Sequence, residues 1–331
     1  RDNFANKRID LSGFLISTLF RDAFLQVNYS ARVAINRTYN FASAEFSGEN
    51  IINIVNESNF NKIFNNDEFK KIFNGQLKIG TIGQKEGVVQ ALDRLTRNLT
   101  IAHLRRIIDN VGDNTTGVST SRRRLHATQY GCVCPSDTPE GPKVGLNKGL
   151  AIISHITFGC QTKSIINFCL EKGVELLDDF LPTEIGRLCK VLINGNWFGC
   201  HRDPETFLDV FKLYRRNGLI NIFISISWER ITNEIIIYTD GGRFIRPLYI
   251  IEKNNILIQP KHIKHIKDST ISFKDIVSGF RKRNGEYDYY NDSVKDITYL
   301  GLDKNDTQAL EKLRESQSLI EYVDSQELNT T

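Results

Sequence analysis

A chain of 331 residues, 40% hydrophobic and 25% charged, exceeds what one hydrophobic core usually serves and has the balance of a folded globular protein, which excludes a disordered or fibrous class. A formal charge of +4 is too small to mark nucleic-acid binding by total alone, and the longest apolar runs, such as 149–154, fall far short of the ~20 residues a membrane-spanning helix needs. No basic-then-apolar leader opens the chain, which points to an intracellular protein, and a sequence without Met that begins at Arg1 reads as an internal piece of a longer one.

In chain order, Leu11, Phe14, Leu15, Leu19 and Phe20 keep helical spacing and predict an opening helix that runs to about Tyr39. Short helices separated by turns are expected over 41–78. Between 86 and 108, Val88, Leu92, Leu95, Leu99 and Ala102 recur at three and four, with Arg94, Arg97, Arg105 and Arg106 largely off that stripe, which predicts an amphipathic helix with a basic back. The Gly, Asn and Asp of 109–117 mark an exposed loop. A strand-like segment follows, opening with Arg122, Arg123 and Arg124; Cys132 and Cys134 alternate along it.

A β-containing domain is expected from about residue 190. Asn194-Gly195 is a two-residue hairpin signal, and Asp203-Pro204 supplies a cap and first position for a helix whose face is Phe207, Val210, Phe211 and Tyr214, ended by Gly218. Alternation at Ile222, Ile224, Ile226 and Trp228, a turn at 232–234 and the run 235–238 predict a second hairpin, followed by a turn at Asp240-Gly241-Gly242.

Candidate chemistry is sparse. The six cysteines show no C-x-x-C pair and read as buried free thiols. None of the six histidines joins a plausible ligand set, and His262 and His265 stand among lysines as a solvated basic face. Asp240-Gly241-Gly242-Arg243 lacks the Lys-Ser/Thr of a phosphate loop. Asp288 and Asp292 are assigned no role. Charge is uneven, however: residues 94–148 carry nine bases against four acids, and 301–331 carry seven acids against three bases. Within the basic window the arginine triplet precedes a Pro/Gly-rich turn that displays Glu140 and Lys143. Guanidinium forks match phosphate oxygens, although from composition alone a solvated Arg cluster on a surface strand is the stronger reading.

The whole string Arg122-Arg123-Arg124-Leu125-His126, then Gly131-Cys132-Val133-Cys134-Pro135, then Thr138-Pro139-Glu140-Gly141 and Gly145-Leu146 resembles the fork region of second-largest subunits of multisubunit DNA-directed RNA polymerases. Other stretches resemble the same family in the same order. They are Asp2 to Asp10, Gly87 to Gln90 with Thr100 to Arg106, Asn194 to Arg202 with Thr239 to Leu248, and Ile320 to Asp324. Arg124, Ala127 and Asp137 depart from residues common in that family. Heavy Ile, Asn and Lys usage, with a mixture of bacterial-like and eukaryotic-like features, suggests a large DNA virus as the source.

The resemblance implies an α+β multidomain fragment: a mainly helical fork region over 1–157, a β-rich second external domain over 158–251, and a small mixed segment over 252–331 leading to the hybrid-binding region. It further implies a part in DNA-templated RNA synthesis from ribonucleoside triphosphates, as a nucleotidyltransferase subunit with no catalytic residue of its own in this stretch. Residues 110–121 and 81–85 would be fork loops. Arg122, Arg123, Arg124, Gln84, Lys85, Arg105 and Arg106 would meet nucleic acid, and Glu140 and Lys143 would support the active-centre wall. Mg2+ would be bound by the largest subunit and not by this fragment. The implied partners are the largest and smaller polymerase subunits, template DNA and nascent RNA, with no membrane, in the nucleus, or in cytoplasm or virion if viral. The alternative is a non-catalytic nucleic-acid-binding or scaffold protein that keeps the fork fold.

Overall fold

A computed structural model describes residues 2–41, 54–64, 66–83, 85, 87–109, 120–281, 292–303 and 308–330. They form two compact units: a helical one, 10–124 with 138–149, and a sheet-centred one built from Arg1–Ile9, Leu125–Asp137 and Leu150–Thr331. Both helices and strands are present, so the fold is α+β.

The helical unit opens with α1 (Ser12–Phe41), which has no proline and buries Leu19, Ala23 and Ala31. The short helices α2 (Glu57–Ile63) and α3 (Asn66–Ile79) pack on it. Phe20 of α1 meets Phe69 of α3 edge-on at 5.4 Å, and Ser30 Oγ donates to Glu68 Oε1 at 2.6 Å. Next come α4 (Arg97–Leu104), capped by Thr96, and the antiparallel pair β1 (Arg106–Ile108) and β2 (Asn147–Gly149).

The amphipathic helix expected over 86–108 is therefore confined to α4. Tertiary partners claim the backbone on either side. Val88 and Val89 N–H groups donate to Gly80 O, at 3.1 and 3.3 Å, and the His103 ring accepts from Asp93 N–H while it bonds Gln90 Oε1. Arg106 to Ile108 bond to β2 instead of continuing the helix. The arginine triplet likewise opens no strand: Thr120–Arg123 is a single 3₁₀ turn. The exposed loop expected at 109–117 falls, after Asp109, outside the described residues, as do Gln84 and Asp288.

In the sheet unit, β3 (His155–Ile156) is followed by α5 (Thr162–Glu171), β4 (Glu175–Leu176), α6 (Pro182–Ile185), β5 (Cys189–Ile193), β6 (Asn196–His201), α7 (Pro204–Arg216), β7 (Ser225–Glu229) and β8 (Glu234–Tyr238). Five of these strands make one sheet in the order β4-β6-β5-β8-β7, with β5 and β8 parallel. The Asn194-Gly195 turn between β5 and β6 has φ of 51° and 84°, the left-handed pair that a two-residue hairpin demands. Asp203 caps α7 as the sequence predicts, accepting from Thr206 N–H at 3.3 Å. Phe168 of α5 packs on Phe211 and Tyr214 of α7, with centroids at 5.7 and 4.9 Å, over Val191, Ile193, Ile226, Ile235 and Ile237.

The chain continues through β9 (Phe244–Tyr249), β10 (Ile251–Glu252), β11 (Asn255–Ile256), α8 (Pro260–Lys267), α9 (Phe273–Ser278), α10 (Ala309–Glu315), β12 (Ile320–Asp324) and α11 (Ser325–Thr330). β12, β9 and β3 form a second sheet, while β10 and β11 make a small hairpin. The N-terminal strap closes on this region, with Ile9 N–H donating to Gly242 O at 2.8 Å. At Gly242, φ is 82° and an added Cβ would lie 2.4 Å from Ile9 O, so only glycine fits the turn.

The buried charges are paired. Arg215 is 1% exposed and reaches Glu327 Oε2 and Oε1 at 2.8 and 2.7 Å, Glu321 at 3.0 Å and Ile224 O at 2.9 Å. Arg216 grips the same Glu321 with two bonds of 2.9 Å. Arg243 binds Asp324 at 2.9 Å. All six cysteines are free, four of them buried and Cys134 and Cys160 half-buried. Burial pushes the Cys169 thiol up to about 12 and those of Cys160 and Cys189 to about 11, so these three are neutral at physiological pH.

Candidate nucleic-acid interface

In the helical unit, the 3₁₀ turn Thr120–Arg123 is built against the Pro/Gly-rich turn that follows it in sequence. Arg123 Nη1 donates to the carbonyls of Pro142 and Val144, both at 2.7 Å, so one guanidinium clasps the second turn from the first. Close approach is possible because residue 145 is glycine: its φ is 71°, and a Cβ there would stand 2.5 Å from Arg123 O and 2.7 Å from its Cα. Gly145 N–H also donates to Thr138 Oγ1 at 2.8 Å. The chain thus holds its basic turn and its Glu140-bearing turn as one piece.

That clasp divides the roles of the three arginines. Arg123 commits one arm of its guanidinium, Nη1, to backbone. Arg122 is half exposed and reaches Asp109 at 3.4 Å, a long and solvent-screened interaction worth little by itself. Arg124 is exposed. Lys148 Nζ donates to Arg122 O at 3.1 Å, which ties the β1–β2 ribbon to the arginine turn, and Arg106 pairs with Gly149, so Arg106 and Lys148 project from opposite faces of the ribbon. Glu140 and Lys143 are exposed, with no side-chain bond to any described residue. Lys148 lies in the basic window, but only its position across from β1 singles it out.

The remaining candidates are placed by other contacts. The Arg105 N–H closes α4 by bonding Ile101 O and Ala102 O at 3.1 and 3.2 Å. Lys85 sits in a tight turn, exchanging both backbone bonds with Ile82 at 3.1 Å, and its ammonium is ion-paired with Asp10. No hydrogen bond or ion pair among the described residues joins Lys85 to the arginine ribbon.

The middle of the fork-like string, Leu125–Asp137, belongs to the sheet unit and serves packing there. His126 Nδ1 accepts from Thr128 N–H at 3.2 Å, and Thr128 Oγ1 accepts from Phe4 N–H at 2.9 Å. Arg246 lies over the Tyr130 ring at 5.2 Å, against Gly131, whose φ is 74° and where a Cβ would fall 2.3 Å from Arg246 Nη1. Val133 bridges to Leu150, which leaves Cys132 buried and Cys134 half-buried.

Among the described residues no three His, Cys, Asp or Glu side chains gather as a metal site, and no helix is long and apolar enough to cross a membrane. What the arrangement offers is a preorganised basic turn with the Arg122 and Arg124 forks at its surface, beside a two-stranded ribbon that carries Arg106 and Lys148 on opposite faces, suited to phosphate oxygens.

Two family models match the chain: "RNA polymerase Rpb2, domain 3" over residues 90–156 and "RNA polymerase Rpb2, domain 4" over 191–252. The first contains the whole arginine ribbon, the second the β5–β6 hairpin, α7 and β9. Among similar proteins, the RNA polymerase II subunit RPB2 of Meyerozyma guilliermondii is 30% identical over 93% of this chain and 25% of its own length. Subunit 2 of RNA polymerase II from Arabidopsis thaliana is 32% identical over 80% of the chain and 21% of its own. The archaeal subunit Rpo2 of Saccharolobus shibatae is 29% identical over 92% and 26%. The chain thus spans about a quarter of the length of the curated relatives it matches. Two domain models in the expected order, on a fold whose turns carry the motif glycines, lead to one assignment: the chain belongs to the family of second-largest subunits of DNA-directed RNA polymerase.

Proposed function

We propose that this chain works as part of a DNA-directed RNA polymerase, placing template DNA and the RNA–DNA hybrid near an active centre to which it contributes no catalytic residue. The observation that carries the proposal is the Arg123 clasp. By joining the two turns, it holds the turn that carries Arg122 and Arg124 in a defined place inside the segment that matches Rpb2 domain 3. Prepositioned cations bind phosphate without the entropy cost of ordering long side chains, and fixed charge guides a strand by electrostatics. In this reading Arg122, Arg124 and Arg106 face phosphates, Arg123 and Lys148 position the turn, and Arg105, Gln84 and Lys85 contribute weaker interactions. Glu140 and Lys143 support the wall of the active centre.

The assembled enzyme would transfer nucleotides by two-metal chemistry, with Mg2+ on the largest subunit. Partners are that subunit, the smaller polymerase subunits, template DNA and nascent RNA, inside the cell. Residues 1–157, 158–251 and 252–331 would be the fork, second external and hybrid-approaching portions.

The test is the salt dependence of hybrid binding by the assembled polymerase. Replacing Arg122 and Arg124 by Ala should flatten the slope of log K against log salt by ~0.7 for each single-strand phosphate that the protein no longer neutralises. An unchanged slope removes both residues from the interface. Hybrid binding that is unaffected by any change on the ribbon would favour the scaffold alternative.

A further inference from the structure

The segment after β9 exposes charge that the proposed function does not use. Residues 253–274 hold five lysines against one aspartate, and α8 within it buries no residue. Lys261, Lys264 and Lys267 recur every three residues on α8, all exposed and without an acidic partner among the described residues. The neighbouring stripe is Ile263 and Ile266, 47% and 37% exposed, and the β10–β11 hairpin just upstream leaves Ile251 and Ile256 at 64% and 50%. The histidines are engaged in holding the helix. His262 Nδ1 accepts from Gln259 N–H at 3.1 Å while its ring stacks on Phe280 at 6.0 Å, and His265 O accepts from Thr270 Oγ1 at 3.0 Å.

An eight-residue helix gains little in water from its own hydrogen bonds and draws its stability from packing of its apolar face. Here lysines and isoleucines share the open surface. The charge calls for an anionic partner, and the aliphatic stripe narrows its class. Nucleic acid is gripped by guanidinium forks and stacking rings; α8 itself has no arginine, Phe, Tyr or Trp, and of the exposed rings near it, Tyr249, Phe273 and Phe280, the last is stacked on His262. We infer that α8 is a docking surface for an acidic polypeptide segment whose carboxylates alternate with aliphatic side chains, the carboxylates meeting Lys261, Lys264 and Lys267 and the aliphatic groups covering Ile263 and Ile266.

The test titrates the 331-residue chain against a fluorescent Glu/Leu-patterned helical peptide and, separately, an oligothymidylate of equal charge. Anisotropy is the readout, and thermal melts check that each variant folds. Three rim ion pairs together carry about a tenfold change, and uncovering two half-buried isoleucines a similar one. Lys261→Gln/Lys264→Gln/Lys267→Gln and Ile263→Ser/Ile266→Ser should therefore each weaken the peptide about tenfold, while the isoleucine pair leaves the oligothymidylate unchanged. The inference is overturned if the peptide does not bind, if only the lysine changes matter, or if the oligothymidylate binds α8 more tightly than the peptide.

Discussion

Replacing Arg215 by Met removes the centre of the buried charge cluster while keeping most of its volume. Glu327, 2% exposed, then loses its two short bonds from Arg215, the Ile224 carbonyl loses the Arg215 donor, and Lys212 Nζ stands 3.9 Å from the carboxylate. Breaking one side of a buried pair costs ~3–5 kcal/mol, a large share of the ~5–15 kcal/mol that holds a domain together. Urea denaturation of the chain at pH 7 should show that deficit as a lower midpoint at an unchanged slope. Adding Glu327→Leu should recover most of it, because an apolar pair replaces a buried carboxylate that has lost its guanidinium. Acid should act similarly: burial pushes Glu327 upward by more than Arg215 recovers, so it is the first of the two glutamates to take a proton as pH falls, and the Arg215→Met penalty should shrink. A penalty below ~1 kcal/mol at pH 7, or a double variant as unstable as the sum of the singles, would refute the account.

Glu321 should behave oppositely. Burial opposes its charge, but Arg215 and Arg216 outweigh burial and hold it down to about 2 from 4.5. It therefore stabilises the fold by ~3 kcal/mol above pH 4.5, and the contribution disappears as pH falls towards 2, so Glu321→Gln should cost most at neutral pH and little at pH 2 in the same assay. Gly145→Ala, which places a Cβ 2.5 Å from Arg123 O, should cost ~2 kcal/mol or more and reduce hybrid affinity of the assembled enzyme without removing any charge. Gly195→Ala meets open space and should cost only ~1 kcal/mol of turn strain, whereas Gly199→Ala, whose Cβ would sit 2.2 Å from Glu175 O on the neighbouring strand, should cost several times more; thermal melts separate the two.

Local signals carried part of this molecule. The opening helix, the Asn194-Gly195 hairpin, the Asp203 cap with α7 and the β7–β8 hairpin were legible because each depends on residues within a few positions of one another. The fork string pointed to the family by resemblance, and its glycines stand where the backbone takes a positive φ, as at Gly131 and Gly145. Tertiary interactions decided the rest. The periodicity of 86–108 gave way when Gly80, His103 and β2 offered its backbone other partners, and the arginine triplet became a 3₁₀ turn because Arg123 found carbonyls 19 and 21 residues away. Arg215 gave no sign of its buried role, since Glu321 and Glu327 lie 106 and 112 residues along the chain. Residue order was enough to say which segments could turn, cap and alternate, and which window was basic. Which of those cations are spent on the protein's own carbonyls and carboxylates, and which stay exposed, was settled on folding, because the energy of a charge depends on the partners and water around it, and only the folded chain brings those together.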